Sequence, residues 1–356
     1  MTTSIIDIFK AYKNSADGNY DTVATEYANL DIEWIKKVGN QTISADTSWG
    51  NATTDTRNLL VLVKGNLTVD STKTLTANVR KRGMFIWVNG NCTINGAISM
   101  SARGASAAGQ RLLLSNIGSD KEVPVAGGAG GAALGPLSEA GGYTGNAGTS
   151  GVATNAAGGG GSGGAGVDGY NCNSGAGTAG TSYSGGSAGG GVAENAATVN
   201  ASAGTVNGGA GGAGNSNNVN CAAGGGAGNN GGAGSQGGIA GGNGTGGLLV
   251  LYITGTLTFG ASGTLSSIGI AGGAATAGGS NWRAGGGGGS GAGHIDYFYK
   301  SVSGSATITL TGGAGGVGTA GVVAGNGGAG GAGSSRATAL TLPNLFPGGA
   351  FLSNFI

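Results

Sequence analysis

The sequence predicts a mainly β protein. Short-strand β repeats, arranged as a β-helix or a stack of hairpins, are combined with a sandwich of extended glycine helices, and a small helical region stands at the N-terminus. Three observations predict this class. Four segments share one pattern of apolar run, turn and alternating strand; glycine occupies about one position in three after Ala126; and charge leaves the chain where glycine enters it. Ten of the 86 glycines precede Ala126, whereas thirteen of the 16 basic and eleven of the 15 acidic residues do. These shifts divide the chain into a helical attachment or cap region (1–50), a β-repeat domain (51–125), a glycine-rich region with interleaved β repeats near 248–268 and 295–311 (126–335), and an apolar C-terminal segment (336–356).

The N-terminal stretch "SIIDIFKAYKNSA" places Ile5, Ile6, Phe9 and Tyr12 near helical spacing behind a Ser start, which reads as a short amphipathic helix. A second helix is expected through "TEYANLDIEWIKKVG", with Lys36 and Lys37 in its last turn and Gly39 as its stop. Such a module either attaches the chain to a larger assembly or caps the open end of a β stack.

The repeats follow. "LLVLVKGNLTVDSTKTLTANV" from Leu59, "MFIWVNGNCTINGAISMSARG" from Met84, "LLVLYITGTLTFGASGTLSSIG" from Leu248 and, more loosely, "IDYFYKSVSGSATITLTGGAGG" from Ile295 align with one another. Apolar residues alternating with Thr, Ser and Asn have the period of half-buried strands, and the Gly and Asn between them suit turns. Their threonines look too irregularly spaced for a flat ice-binding face.

The glycine runs lack the G-X-Y period and the proline of collagen, with four prolines in the chain. Low charge, 9% of the whole chain, beside an apolar fraction of 38% also separates the chain from most disordered sequence. Such a run can form an extended helix of three residues per turn without internal hydrogen bonds, nine residues spanning roughly 28 Å. Bundled rods satisfy one another's N–H and C=O groups, and their close approach demands glycine at the contacts. "HIDYFY" then anchors one rod to a β element. The stretches between runs, such as "VDGYNCNSGAGTAGTSYS", "NSNNVNC" and "SNWR", read as loops.

Glycine motifs alternating with polar and aromatic loops from Ala126 to about Ser335, about 60% of the chain, resemble the glycine-rich adhesins at the tips of long tail fibres in T-even-like bacteriophages. That resemblance implies a polyglycine II sandwich on a virion surface, whose loops contact a bacterial receptor. The β repeats before, within and between the glycine motifs depart from the family pattern and are shared with broader glycine-rich phage and microbial surface proteins.

For binding, the loops offer Tyr143, Tyr170, Asn171, Asn173, Tyr183, Asn217, Asn218, Trp282 and Arg283, aromatic faces and amides suited to a protein or saccharide receptor. Trp282 and Arg283 form the sharpest pair, since both types are enriched in binding hot spots. Leu345, Phe346, Phe351 and Phe355 in the C-terminal stretch, with the apolar N-terminal set, are candidate interface residues toward fibre subunits or a second copy. Catalysis is not expected: His294 and Asp296 share a strand face, but the wider region is poor in acids and bases. No cofactor, metal motif or phosphate loop is read. A net charge of +1 gives no broad pull toward nucleic acid or anionic membrane, and no apolar run is long enough to insert. Cys92, Cys172 and Cys221 form no metal spacing, and a Cys172–Cys221 disulfide stays open as an alternative to free thiols. No secretory signal is read at the start, so synthesis in a host cytoplasm is expected.

Overall fold

Five-residue apolar runs such as "LLVLV" and "MFIWV" suit strands buried on both faces, as parallel sheets require. The structure, a computed structural model, describes residues 3–4, 32–51, 57–105, 112–114, 121–123, 131, 142–143, 147, 165–169, 172–173, 185–196, 199–200, 204, 211–216, 221–277, 284–319 and 325–340. Among them the regular elements are strands, mostly in parallel sheets, with no helix.

The chain passes its strands to three faces in turn and then repeats the circuit. The first circuit comprises β1 (Ile32–Val38), β2 (Gln41–Ile43) and β3 (Thr47–Trp49). The second holds β4 (Asn58–Lys64), β5 (Leu67–Val69) and β6 (Thr74–Ala77). The third holds β7 (Gly83–Val88), β8 (Cys92–Ile94) and β9 (Ala97–Ser99). After the long glycine-rich insertion come β10 (Leu248–Phe259) with β11 (Thr264–Ser266), then β12 (His294–Ser303) with β13 (Thr307–Thr309), and finally β14 (Ser334–Ala339). Neighbours are parallel and in register, as in Ile35↔Val61, Val61↔Ile86, Ile86↔Leu251, Leu251↔Tyr297 and Tyr297↔Ala337. β10 serves two faces, pairing with β7 over Leu248–Ile253 and with β8 over Leu257–Phe259, and its pairing with β12 shifts by one residue between Ile253 and Thr256.

Because the circuits from β4 to β11 keep one register, like side chains stack into continuous rows. Val61, Ile86 and Leu251 from one face meet Leu67, Cys92 and Leu257 from the second and Leu75, Ile98 and Leu265 from the third, all fully buried in one core. Burial pushes the Cys92 thiol up to about 12, so it stays protonated at neutral pH. The other side of the first face is buried as well: Trp87 stacks on Tyr252 at 4.3 Å, and Tyr252 tilts against Phe298 at 5.9 Å.

At the first corner an asparagine ladder fixes the rise. Asn66 N–H donates to Asn40 Oδ1 at 2.9 Å, Asn91 N–H to Asn66 Oδ1 at 2.8 Å and Thr256 N–H to Asn91 Oδ1 at 2.9 Å. Gly65, at φ +152°, stands in this corner, where an added Cβ would lie 2.7 Å from the Gly39 carbonyl oxygen. Asn66→Ala leaves the Asn91 amide without its acceptor and is expected to lower unfolding free energy by about 1 kcal/mol, measured by urea denaturation.

Two sequence expectations are corrected. The second N-terminal helix is a strand where it is described: β1 pairs with β4 over seven residues, and this long-range ladder overrides the local helical pattern. Gly39, at φ +76°, serves the turn after that strand. The Thr and Ser hydroxyls irregular in sequence line up in space, because circuits of unequal length are paired in register: Thr76↔Ser99↔Ser266↔Thr309 form one rank. Its central hydroxyls are bonded to each other, Ser266 Oγ to Ser99 Oγ at 2.9 Å. The first N-terminal helix and the apolar C-terminus, with Ile5, Ile6, Phe9, Tyr12, Leu345, Phe346, Phe351 and Phe355, lie outside the described residues.

The glycine segments continue from the circuits. Segments 267–275 and 310–318 leave β11 and β13, and segments 284–293 and 325–333 return to β12 and β14. Bonding along segment 284–293 repeats every third residue. Gly286, Gly289 and Ala292 donate to Gly325, Gly328 and Gly331 at 2.9–3.0 Å. Gly287, Ser290 and Gly293 donate to Gly273, Ile270 and Ser267 at 2.9–3.0 Å, while Gly288 and Gly291 donate to Gly189 and Gly186 at 2.9 and 2.8 Å. One segment therefore bonds three neighbours in rotation. Packing is tight enough that a Cβ on Gly287 would lie 1.9 Å from the Gly225 oxygen, and one on Gly327 would lie 2.0 Å from the Gly287 oxygen.

Candidate functional site

The direction of each glycine segment follows from its bonds, and the directions define two ends. At the coil end, Gly185 N–H donates to Gly246 O, Gly246 N–H to Gly291 O and Gly293 N–H to Ser267 O, next to the strands. At the far end, Ala284 and Thr319 exchange backbone hydrogen bonds, Ala275 N–H donates to Val317 O, and Asn215 N–H donates to Gly191 O.

Short strands knit that far end together. Gly142–Tyr143 is antiparallel to Ala165–Gly169, which is parallel to Val192–Ala196, and Val192 pairs with Asn215. Cys172–Asn173 runs parallel to Val199–Asn200, and Cys221–Ala222 is antiparallel to Thr276–Ala277. Thr276 Oγ1 also donates to Gly237 O at 3.1 Å, tying in the turn that follows Ser235.

This places several sequence candidates with respect to one another. Tyr143 and Asn173 stand in these strands. Tyr170 and Asn171 fall between the strands ending at Gly169 and beginning at Cys172; Asn217 and Asn218 fall between Ser216 and Cys221; Trp282 and Arg283 fall between Ala277 and Ala284. The pairing Cys221↔Ala277 sets the flanks of the last two loops side by side. Tyr183 precedes Gly185 by two residues in the sequence, and Gly185 is bonded at the coil end. Tyr170, Asn171, Tyr183, Asn217, Asn218, Trp282 and Arg283 themselves lie outside the described residues, as does any statement on the Cys172 and Cys221 side chains. Among the described residues of the glycine segments, the large apolar side chains of Ile239 and Val317 are exposed.

A second constellation sits at the seam between glycine segments and strands. His294 opens β12 and Ser334 opens β14, each directly after a glycine segment. His294 Nδ1 lies 2.9 Å from Ser334 Oγ, and its Nε2 lies 3.1 Å from Asp296 Oδ2. Arg336 grips both Asp296 oxygens, from Nε at 2.6 Å and from Nη2 at 2.9 Å. The sequence pattern finds His294 and Asp296 on one strand face; Ser334 and Arg336 join only through the parallel register His294↔Ser334 and Asp296↔Arg336. The order Ser–His–Asp resembles a hydrolytic relay, but the carboxylate is committed to a guanidinium and both His294 and Asp296 are fully buried. The arrangement fastens the last strand to its neighbour, as a two-point carboxylate–guanidinium pair can, while His294 Nε2 makes no hydrogen bond.

Comparison of the chain with family models, with curated proteins and with solved structures finds no match.

Proposed function

We propose that this chain is a non-enzymatic receptor-binding protein of a bacteriophage virion, in which a polyglycine II sandwich rooted on a parallel β-helix presents loops to a protein or saccharide on a bacterial surface. The observation that carries this reading is the three-residue bonding period of segment 284–293, which fits a glycine helix of three residues per turn bonded to neighbours on several sides. A scaffold of that kind fixes the flanks of the Asn217–Asn218 and Trp282–Arg283 loops together at the end remote from the strands. Preorganised flanks reduce the ordering entropy lost on binding, and many copies on one particle add avidity. The N-terminal region would join other fibre or virion subunits.

A second reading, a structural subunit of a fibre or surface layer, draws on β3 and β13, the terminal strands of the five-stranded sheet. Such edges can add further copies end to end.

One experiment separates the two. Trp282, Arg283, Asn217 and Asn218 are replaced together by Gly and Ser, folding is checked by circular dichroism, and attachment to a panel of bacterial strains is counted. The receptor-binding reading expects the wild type to attach and the folded variant to lose at least about tenfold in affinity, the loss of one or two hot-spot residues. Filaments from both proteins without attachment to any strain would overturn it in favour of the structural subunit.

A further inference from the structure

The buried rows of the strand stack do not end alike. At the first circuit the end residues are large and covered, Ile43 and Trp49 each being 5% exposed. At the last circuit the row Leu67, Cys92, Leu257 reaches Val302, which is 45% exposed, and the row Leu75, Ile98, Leu265 reaches Ile308, which is half-buried. Ala306 and Leu310 are half-buried against the same core. Among the described residues the first face alone continues past this level. Ala337 and Ala339 of β14 lie in register with Tyr297 and Tyr299, whereas no described strand follows β13 in its sheet. The core is left with an open apolar end over its second and third faces.

The chain itself arrives there. Leu340 is buried and its N–H donates to Tyr299 O at 2.7 Å, so the chain leaves β14 beside the point where the preceding circuit leaves the first face. That circuit runs from there through the second face to the end of β13 in ten residues, 300–309. Residues 341–356, outside the described residues, supply sixteen, with Leu345, Phe346, Phe351, Leu352 and Phe355 among them and no charged side chain. Pro343 and Pro347 in this segment lack an N–H, which suits an edge that no further strand joins.

We propose that segment 341–356 of this chain docks on the open end of the core, over Val302, Ile308 and Leu310, and ends the stack there. Uncharged, apolar side chains match an apolar surface, and a segment tethered at Leu340 docks without the loss of translational freedom that a second copy meets. The inference rests on the strand stack alone and stands apart from the receptor-binding reading. Growth of copies at β13 is what it opposes.

The test reads one amide in the whole chain. Thr307 N–H donates to Gly263 O at 2.9 Å and Thr309 O accepts from Ser267 N–H at 3.0 Å, so the Ile308 N–H between them points away from β11, to the open side. Docking predicts that hydrogen exchange at Ile308 is slowed at least about tenfold relative to an unstructured amide, at every protein concentration. Joint replacement of Phe346, Phe351 and Phe355 by Ser removes that protection while Leu248–Phe259 stay protected. Unprotected Ile308 in the wild type, or unchanged protection in the folded triple variant, overturns the proposal. Protection that disappears on dilution, with a dimer seen by sedimentation, overturns it in favour of a second copy. If the triple variant does not fold, Val302→Asp alters only the covered surface, and unchanged protection of Ile308 there overturns the proposal as well.

Discussion

Gly287→Val is expected to destabilise the protein by at least about 3 kcal/mol, the upper range for overpacking a rigid interior. The added Cβ would lie 1.9 Å from the Gly225 carbonyl oxygen and 2.2 Å from its carbonyl carbon, and neither is a side chain that can rotate away. Segment 222–228 cannot retreat either, because Gly225 N–H is bonded to Ile239 O and Gly226 N–H to Gly212 O. A control at an uncrowded site separates crowding from backbone preference: Gly237 has a φ of +91° with nothing within 4 Å of an added Cβ. Gly237→Ala is expected to lose only about 1–2 kcal/mol, the penalty of a left-handed conformation. Urea unfolding of both variants checks the order, and equal losses would mean that the segments are not closely packed.

The second large effect concerns the first circuit of the strand stack. Lys81 is fully buried and bonds Glu33, whose side chain is 4% exposed and also accepts the Asn51 amide. Removing one partner strands the other charge, so Lys81→Met is expected to lose about 3–5 kcal/mol. The double variant Lys81→Met with Glu33→Leu recovers most of that loss, because burial of an apolar pair has no charge to desolvate. Denaturant unfolding of the single and double variants measures the coupling. Additive losses would show that the pair does not act as a unit.

Much of the strand framework was legible in the sequence, since Leu59, Met84, Leu248 and Ile295 each begin or adjoin a first-face strand. Two first-face strands were missed for the same physical reason. "IEWIKKV" carries three charges and "SSRATA" is small and polar, so neither shows a buried-strand pattern; each is held by a ladder to a strong neighbour, β4 and β12. Local composition cannot report a partner supplied from elsewhere in the chain. The glycine contacts were legible as a requirement, because few other architectures need so many residues without a Cβ. Which segment bonds which was not, since Gly287 and Gly288 are identical in sequence terms yet donate to Gly273 and Gly189.

The candidate loops were legible as interruptions in glycine, and their grouping was not. Asn217–Asn218 and Trp282–Arg283 are some 60 residues apart, and only the antiparallel pair Cys221↔Ala277 sets their flanks together. The cluster around Asp296 illustrates the same limit. Two members two residues apart were visible, whereas Ser334 and Arg336 needed the register.

The central claim, that the glycine segments form a rigid bonded scaffold, is tested most directly by amide hydrogen exchange along 284–293. Donors Gly286 to Gly293 are each bonded to another segment. The account predicts exchange as slow as in Leu248–Phe259, because opening any one segment breaks bonds to three others. Exchange at the rate of an unstructured chain, with Leu248–Phe259 still protected, would contradict it and leave the glycine runs as linkers between strands.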